Sequence, residues 1–268
     1  MDKKVVLVTG GSSGIGKSIG IYLTKRGFQV YGTTRNLDRQ KDFKDFKLLE
    51  LDVTNNDTIT KAVAHIVKEE GRLDVLINNA GVGITGPIEE TPIDEINKTF
   101  DTNFNGPIRM IQSVLPQMRL QKNGLIINIT SIAGNMGLPY RGIYSASKGA
   151  LGLVTEALRM ETKEFGIQIT DLAPGDFATN IAAGRYHAPS NSTTAYASYS
   201  KVLAMINDDV DAAQNPIEVA KKVYSIILKT KPKVHYKVGV FLQKFSLFLK
   251  KILPDTLYER LLLNHYKL

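Results

Sequence analysis

Tyr144 and Lys148 stand four residues apart in a stretch with helical patterning, and Ser131 lies thirteen residues upstream, where an apolar strand ends. Side chains at i and i+4 share a helix face, so this spacing sets an ammonium near a phenol. A free tyrosine has a pKa of about 10, too high for efficient proton transfer at neutral pH, and a nearby cation favours the phenolate. Tyr144 is then suited to exchange a proton with a substrate oxygen while Ser131 donates a hydrogen bond to the same atom. An ordinary helix face shows the same Y-x-x-x-K pattern, so the chemistry depends on what surrounds it.

The second chemical feature is the run at 5–18, VVLVTGGSSGIGKS, in which a β-branched strand breaks into glycines and then becomes a helix. It fits three patterns at once. Gly10, Gly14 and Gly16 resemble a dinucleotide-binding turn, residues 11–18 match the P-loop G-x-x-x-x-G-K-[ST], and residues 10–14 spell the G-x-S-x-G of a hydrolase elbow. Each pattern places backbone N–H groups at a helix N-terminus, where partial positive charge suits a phosphate or an oxyanion.

Strand-like and helical runs alternate through the chain and must position these groups. Strands are expected at 5–9, 29–34, 47–51, 73–78, 124–130, 167–172 and 234–238. Helices are expected at about 14–25, after the Asn55-Asn56-Asp57 cap, from the Thr91-Pro92-Ile93-Asp94 opening with Thr91 as N-cap, and at 107–120, 142–164 and 216–230. VVLVT, VLIN and LIINIT are apolar throughout, as in central parallel strands covered on both faces. The pattern predicts one α/β domain over residues 1–268, a doubly wound, Rossmann-type, mostly parallel seven-stranded sheet with helices on both faces.

Such a sheet binds ligands beyond the carboxyl ends of its strands. After the second strand, Thr34 stands where an NAD site usually has an acid for the ribose 2′-hydroxyl, and Arg35 follows, suited to a 2′-phosphate. Asp52 and Val53 after the third strand suit an adenine amino group and ring face. Asn78-Asn79-Ala80-Gly81 after the fourth is a small-residue turn that lets backbone approach a ligand.

Six motifs now stand in order: TGGSSGIG at 9–16, NNAG at 78–81, Asn103 in DTNFNG, Ser131 in NITS, YSASK at 144–148 and PGDFAT at 174–179. Together they resemble the short-chain dehydrogenase/reductase family, closely over about residues 3–180. The resemblance implies hydride transfer between a nicotinamide cofactor and a carbonyl or secondary alcohol. It implies Tyr144 as acid/base and Ser131 as substrate-oxygen anchor. Lys148 would lower the tyrosine's pKa and hold the nicotinamide ribose, and Asn103 would steady a proton-relaying water. The expected cofactor contacts are Gly10, Ser12, Ser13, Gly14, Ile15, Gly16, Arg35, Asp52, Val53, Asn79, Ala80, Gly81, Tyr144, Lys148, Pro174, Gly175 and Thr179. NADP-preferring members often carry a basic residue where this chain has Ser13, so the expectation of NADP(H) rests on Arg35 and the missing acid. The same resemblance implies a dimer or tetramer built on the helices at about 107–120 and 142–164, whose Ala146, Gly149, Ala150 and Gly152 permit close approach.

Composition narrows the rest. The chain of 268 residues has no cysteine, which excludes disulfides and thiolate metal sites, and its four histidines are isolated from one another, so no metal is expected. No uncharged run approaches the ~18 residues of a membrane span, and no export-type segment precedes the first strand, which reads as cytoplasmic. Net charge is +8, yet nine lysines and no acid lie between Glu218 and Asp255, so that region carries +9 and the remainder −1. The basicity is therefore regional, and nucleic acid is not expected as a partner. Segment 180–215, polar and rich in small residues, suits a lid over the substrate; Arg185, Tyr186 and Tyr196 fall in it. Beyond about 240, Phe241, Leu242, Phe245, Phe248, Leu249 and Ile252 recur at helical spacing with Gln243, Lys244, Lys250 and Lys251 opposite. This reads as a helix pair packed near the substrate mouth, a feature that resembles the hydroxysteroid and retinol dehydrogenase-like branch and implies a hydrophobic substrate. A basic amphipathic helix also suits an anionic membrane surface. The alternatives are a P-loop nucleotide hydrolase or kinase, which needs an acidic magnesium ligand ending a later strand, and a non-catalytic nucleotide sensor on the same fold.

Overall fold

The computed structural model describes residues 3–177, 184–189, 195–211 and 214–268. In chain order its elements are β1 (Val5–Val8), α1 (Gly14–Thr24), β2 (Gln29–Thr34), β3 (Lys47–Glu50), α2 (Asn56–Glu70), β4 (Val75–Asn78), β5 (Ile84–Thr85), α3 (Ile93–Phe100), α4 (Gly106–Gln121), β6 (Gly124–Ile129), α5 (Gly142–Glu161), β7 (Ile167–Pro174), β8 (Tyr186–His187), α6 (Tyr199–Asp211), α7 (Ile217–Ile227), β9 (His235–Val238), α8 (Phe241–Ile252) and α9 (Asp255–Tyr266).

Successive side chains of a strand point to opposite faces, and β1 uses both. Val5 and Leu7 enter one core with Ile59 and Ile66 of α2 and Met110 and Val114 of α4. Val6 and Val8 enter the other with Ile19 and Leu23 of α1 and Val219 and Val223 of α7. A sheet buried on both faces is what the uninterrupted apolar strands require. Seven strands run in the order β3-β2-β1-β4-β6-β7-β9, and every pairing is parallel. The order reverses between β1 and β4, which opens a crevice beyond their carboxyl ends.

Several elements differ from the sequence reading. Thr91 does not cap α3: Pro92 takes the cap position, and the buried Thr91 Oγ1 donates to Pro87 O at 2.7 Å. A single π-helical turn, Asp101–Asn105, joins α3 to α4. A two-stranded parallel sheet pairs β5 with β8, and α6 occupies part of the segment read as lid. The C-terminal helices pack beside the loop at 132–138, but of the apolar stripe on α8 only Leu249 takes part. Leu247, Tyr258, Leu249, Leu253 and Leu262 join Ile132, Met136 and Ala173, whereas Phe241 is 76 % exposed, Phe248 54 % and Ile252 58 %. Among the described residues no helix is long and apolar enough to cross a membrane.

Candidate active site

The β1–α1 loop and the β4 turn meet at the crevice through one threonine. Thr9 Oγ1 accepts from the backbone N–H of Asn79 at 2.9 Å and of Ala80 at 3.0 Å. Asn79 Nδ2 donates back to Thr9 O at 2.9 Å and Gly10 O at 3.3 Å. Gly10 takes φ +64°, and a Cβ at Gly16 would overlap Gly10 O and approach Asn79 Nδ2 to 2.5 Å, so the loop lies flat on the helix only without that side chain. The result is a cleft of about 690 Å³ lined by Gly10, Ser12, Ser13, Gly14, Ile15, Arg35, Asp52, Val53, Asn79, Ala80 and Gly81. Gly16 lies beneath it as the packing contact just described.

Lys17, the residue that would clamp phosphate in a P-loop, turns away. It pairs with Asp45 at 3.2 Å and lies 5.0 Å over the Phe43 ring. At the cleft's far end Arg35 is exposed, and Arg39, held on a short turn through Asn36 Oδ1 at 3.2 Å, lines the same rim. Asp52 Oδ1 accepts from the N–H and hydroxyl of Thr54 at 2.9 and 2.8 Å, which fixes its carboxylate on the adjacent edge.

Ile15, Asn79 and Gly81 also line a smaller pocket of about 80 Å³, where Ser131, Tyr144, Lys148, Pro174 and Gly175 converge. Ser131 caps the turn after β6, its Oγ accepting from Ala133 N at 3.1 Å. Tyr144 and Lys148 come from the first turns of α5. A buried ladder holds that helix to the sheet: Asn78 Nδ2 donates to Asn128 Oδ1 at 2.9 Å, and Asn128 Nδ2 to Thr155 Oγ1 at 2.8 Å. Asn103 is fully buried in the π turn. Its Nδ2 donates to Val82 O and Ser147 Oγ at 2.9 and 3.2 Å, and its Oδ1 accepts from Val82 N at 2.8 Å. A Cβ at Gly81 would come within 3.2 Å of Asn103 Oδ1 and 3.3 Å of Lys148 Nζ.

The electrostatics differ from the sequence reading in one respect. Burial pushes the Tyr144 phenol above its ordinary value, and the groups that oppose this are Arg141, the hydrogen bond with Ser131, and Arg185, with Asp176 adding to the rise. Burial lowers Lys148 to about 8, and its Nζ donates to Ile129 O at 3.0 Å. The cations that favour phenolate are thus two arginines which the Y-x-x-x-K spacing does not reveal.

Thr179 lies outside the described residues, as do residues 180–183, 190–194 and 212–213 of the segment read as lid. Arg39 and Arg141 line the site although no sequence pattern singles them out, and Asp176, inside the PGDFAT motif, lines it without having been assigned a contact. Gln243, read as solvent-facing, instead supports the pocket wall: its Nε2 donates to Asp176 Oδ2 at 2.7 Å, and its Oε1 fills the space a Cβ on Gly175 would need. Tyr196, another lid residue, bonds Glu89 at 2.6 Å.

A doubly wound sheet with a glycine-lined cleft leading to a serine, a tyrosine and a lysine defines a nucleotide-dependent α/β enzyme. The family model for short chain dehydrogenase matches residues 4–189, and the chain belongs to that family. It is 37 % identical over 261 residues to a 3-ketodihydrosphingosine reductase of Bacteroides thetaiotaomicron, covering 97 % of this chain and 96 % of the relative. It is 31 % identical over 283 residues to an NADPH-dependent 3-dehydrocapnine reductase of Ornithobacterium rhinotracheale, covering 98 % of each. A crystal structure of a short-chain dehydrogenase from Streptomyces avermitilis superposes with a TM-score of 0.84 at 30 % identity, covering 99 % of this chain and 97 % of that one. The protein is therefore an oxidoreductase of the short-chain dehydrogenase family, and the family works with a nicotinamide cofactor. The P-loop alternative has no support.

Proposed function

We propose that the protein is an NADP(H)-dependent reductase that interconverts a ketone and a secondary alcohol on a substrate with an apolar chain, the whole chain acting as one catalytic unit. One observation carries this reading: Ser131, Tyr144 and Lys148 converge at one end of a cleft whose other end presents Arg35 and Arg39, with Thr34 in place of an acid. The residues fit the cofactor, because the absent side chain at Gly16 leaves the loop flat for a pyrophosphate and the two arginines suit a 2′-phosphate. Ser12, Ser13 and the loop N–H groups would hold the pyrophosphate, Asp52 and Val53 the adenine, and Lys148 the nicotinamide ribose. When bound, the nicotinamide supplies or accepts the hydride at the carbonyl carbon.

The chain's own residues handle the oxygen. In reduction Tyr144 donates its phenolic proton to the carbonyl oxygen, and Ser131 donates a hydrogen bond to the same atom. A phenol held above its ordinary pKa stays protonated at neutral pH, which suits the reductive direction. Asn103, committed to Val82 and Ser147, positions α5 against the β4 turn. The apolar-substrate reading draws support from the two long relatives, both named as reductases of keto or dehydro compounds, and from α8 and α9 at the pocket's edge. Self-association through α4 and α5 is part of the reading: Leu153 and Met160 on α5 and Leu120 on α4 are exposed.

Steady-state turnover of ketones of graded chain length with NADPH and NADH tests the proposal. The expected result is a preference for NADPH that falls at least tenfold in Arg35→Ala and further when Arg39→Ala is added. A wild-type preference for NADH, or turnover of short polar ketones alone, would contradict it.

A further inference from the structure

Two guanidiniums stand at the carbonyl pocket beside the group that carries the proton, and neither is itself the donor or acceptor. Arg141 lies at the N-terminal end of α5, its Cζ 5.8 Å from the centre of the Tyr144 ring. Arg185 reaches the same pocket from the opposite wall, its side chain lying against Gly83 within 3 Å of where a Cβ would stand. The Nη1 of Arg185 is buried and has no hydrogen-bond partner among the described residues. A buried charged donor left unpaired is costly, which points to a partner that arrives with the ligand.

The charges around the pocket show what that partner is. Facing it are Arg141, Arg185 and Lys148 on the positive side, and on the negative side Asp176, whose Oδ2 is already engaged by Gln243; Tyr144 is a neutral phenol. Arg141 and Arg185 are close enough to repel each other. Guanidiniums held close together against their own repulsion, with one N–H face unmet, match the planar or tetrahedral oxygens of an anion. The cofactor's phosphates belong elsewhere, since the glycine loop and Arg35 line the other cleft.

We infer that Arg141 and Arg185 form an anion subsite beside the reacting carbonyl, and that the substrate is an amphiphile whose ketone lies near an oxyanion of the carboxylate, phosphonate or sulfonate class. This rests on the ketone-reductase reading above and sharpens it. An apolar tail alone leaves Arg185 unpaired; a head group with an oxyanion satisfies it.

The test compares a long-chain 3-oxo acid with its methyl ester, and with the matching 2-oxoalkyl phosphonate, at saturating NADPH. The wild-type enzyme is expected to favour the anions over the ester at least tenfold in kcat/KM, mainly through KM. That ratio is expected to fall tenfold or more in Arg185→Gln and in Arg141→Gln, and to recover partly in Arg185→Lys. Equal turnover of acid and ester by the wild type would overturn the subsite while leaving the ketone-reductase reading standing. A ratio unchanged in both variants would also overturn it, as would loss of NADPH affinity in Arg185→Gln with the ratio intact, because the arginine would then serve the cofactor. No turnover of any of the three with either cofactor would overturn the underlying reading.

Discussion

Lys148 is the residue whose charge the fold strains most visibly. It is 5 % exposed, and its ammonium meets only the Ile129 carbonyl among the described residues, so burial holds its pKa near 8 against the usual 10.5. The unfolded chain binds more protons between those values, so stability rises with pH from about 8 to 10.5, and below 8 the charged lysine costs the fold about 3 kcal/mol. Lys148→Met is accordingly expected to raise the thermal midpoint at pH 7 and to remove activity, which paired melting and turnover measurements would show. In the wild type, kcat/KM for reduction is expected to fall as pH rises through about 8, and Lys148→Arg, which keeps its charge, is expected to move that fall upward. A flat profile between pH 7 and 9.5 would contradict a need for the charged lysine. That Tyr144 and Lys148 share a helix face follows from their i, i+4 spacing, whereas their roles become legible only with the five other motifs. Arg141 and Arg185 were not legible, because their meeting depends on how β8 folds back beside β5, which no local pattern encodes.

At the scale of elements, the β1–α1 loop is the part whose sequence and geometry agree most closely. The apolar run, the glycines and the helix start predicted where it bends, and the structure adds the reason: Gly16 must pass under Gly10 O. Gly16→Ala is therefore expected to lift the loop, weakening NADPH binding by tenfold or more in a fluorescence titration while leaving much of the sheet's stability intact. Unchanged affinity would show that the loop has slack. The same run illustrates what a motif leaves open: within the loop itself, the direction of Lys17, toward Asp45 and Phe43, separates the dinucleotide turn from the P-loop. The π turn at Asp101–Asn105 and α6 escaped the sequence reading for different reasons. A π turn differs from an α turn by about one residue, a local shift that no residue type marks, and α6 follows a polar stretch whose composition reads as loop.

Over the whole molecule, the regional charge and the C-terminal helices belong together. Periodicity identified α8 correctly as amphipathic, yet a stripe of apolar residues does not say what covers it. In the structure Leu247 and Leu249 pack inward, and Phe241, Phe245 and Phe248 stack on the outer surface at centroid spacings of 5.6 and 6.0 Å, flanked by the exposed Lys244, Lys250 and Lys251. The inner side of the same helix sets Gln243 against Asp176 and Gly175, two residues of the pocket wall. Aromatic side chains rimmed by lysines complement an anionic lipid surface, and such a contact would bring the pocket to a substrate of the apolar-chain class proposed above. The protein is expected to sediment with vesicles containing phosphatidylglycerol at low salt, to be released near 0.5 M salt by screening, roughly, and to lose binding in Phe245→Glu/Phe248→Glu. Failure to sediment would remove the membrane contact, and a concentration-dependent dimer that the same variant breaks would assign the stripe to a second copy of the chain.

In the proposed reaction Tyr144 carries the proton of a nicotinamide-dependent carbonyl reduction. Tyr144→Phe removes one oxygen from the pocket and leaves the ring, so it tests that role most directly when ketone reduction and NADPH binding are measured on the same preparation. A loss of about 10²–10⁴ in kcat with NADPH affinity within a few-fold of wild type is the predicted result. Turnover near the wild-type rate would contradict it.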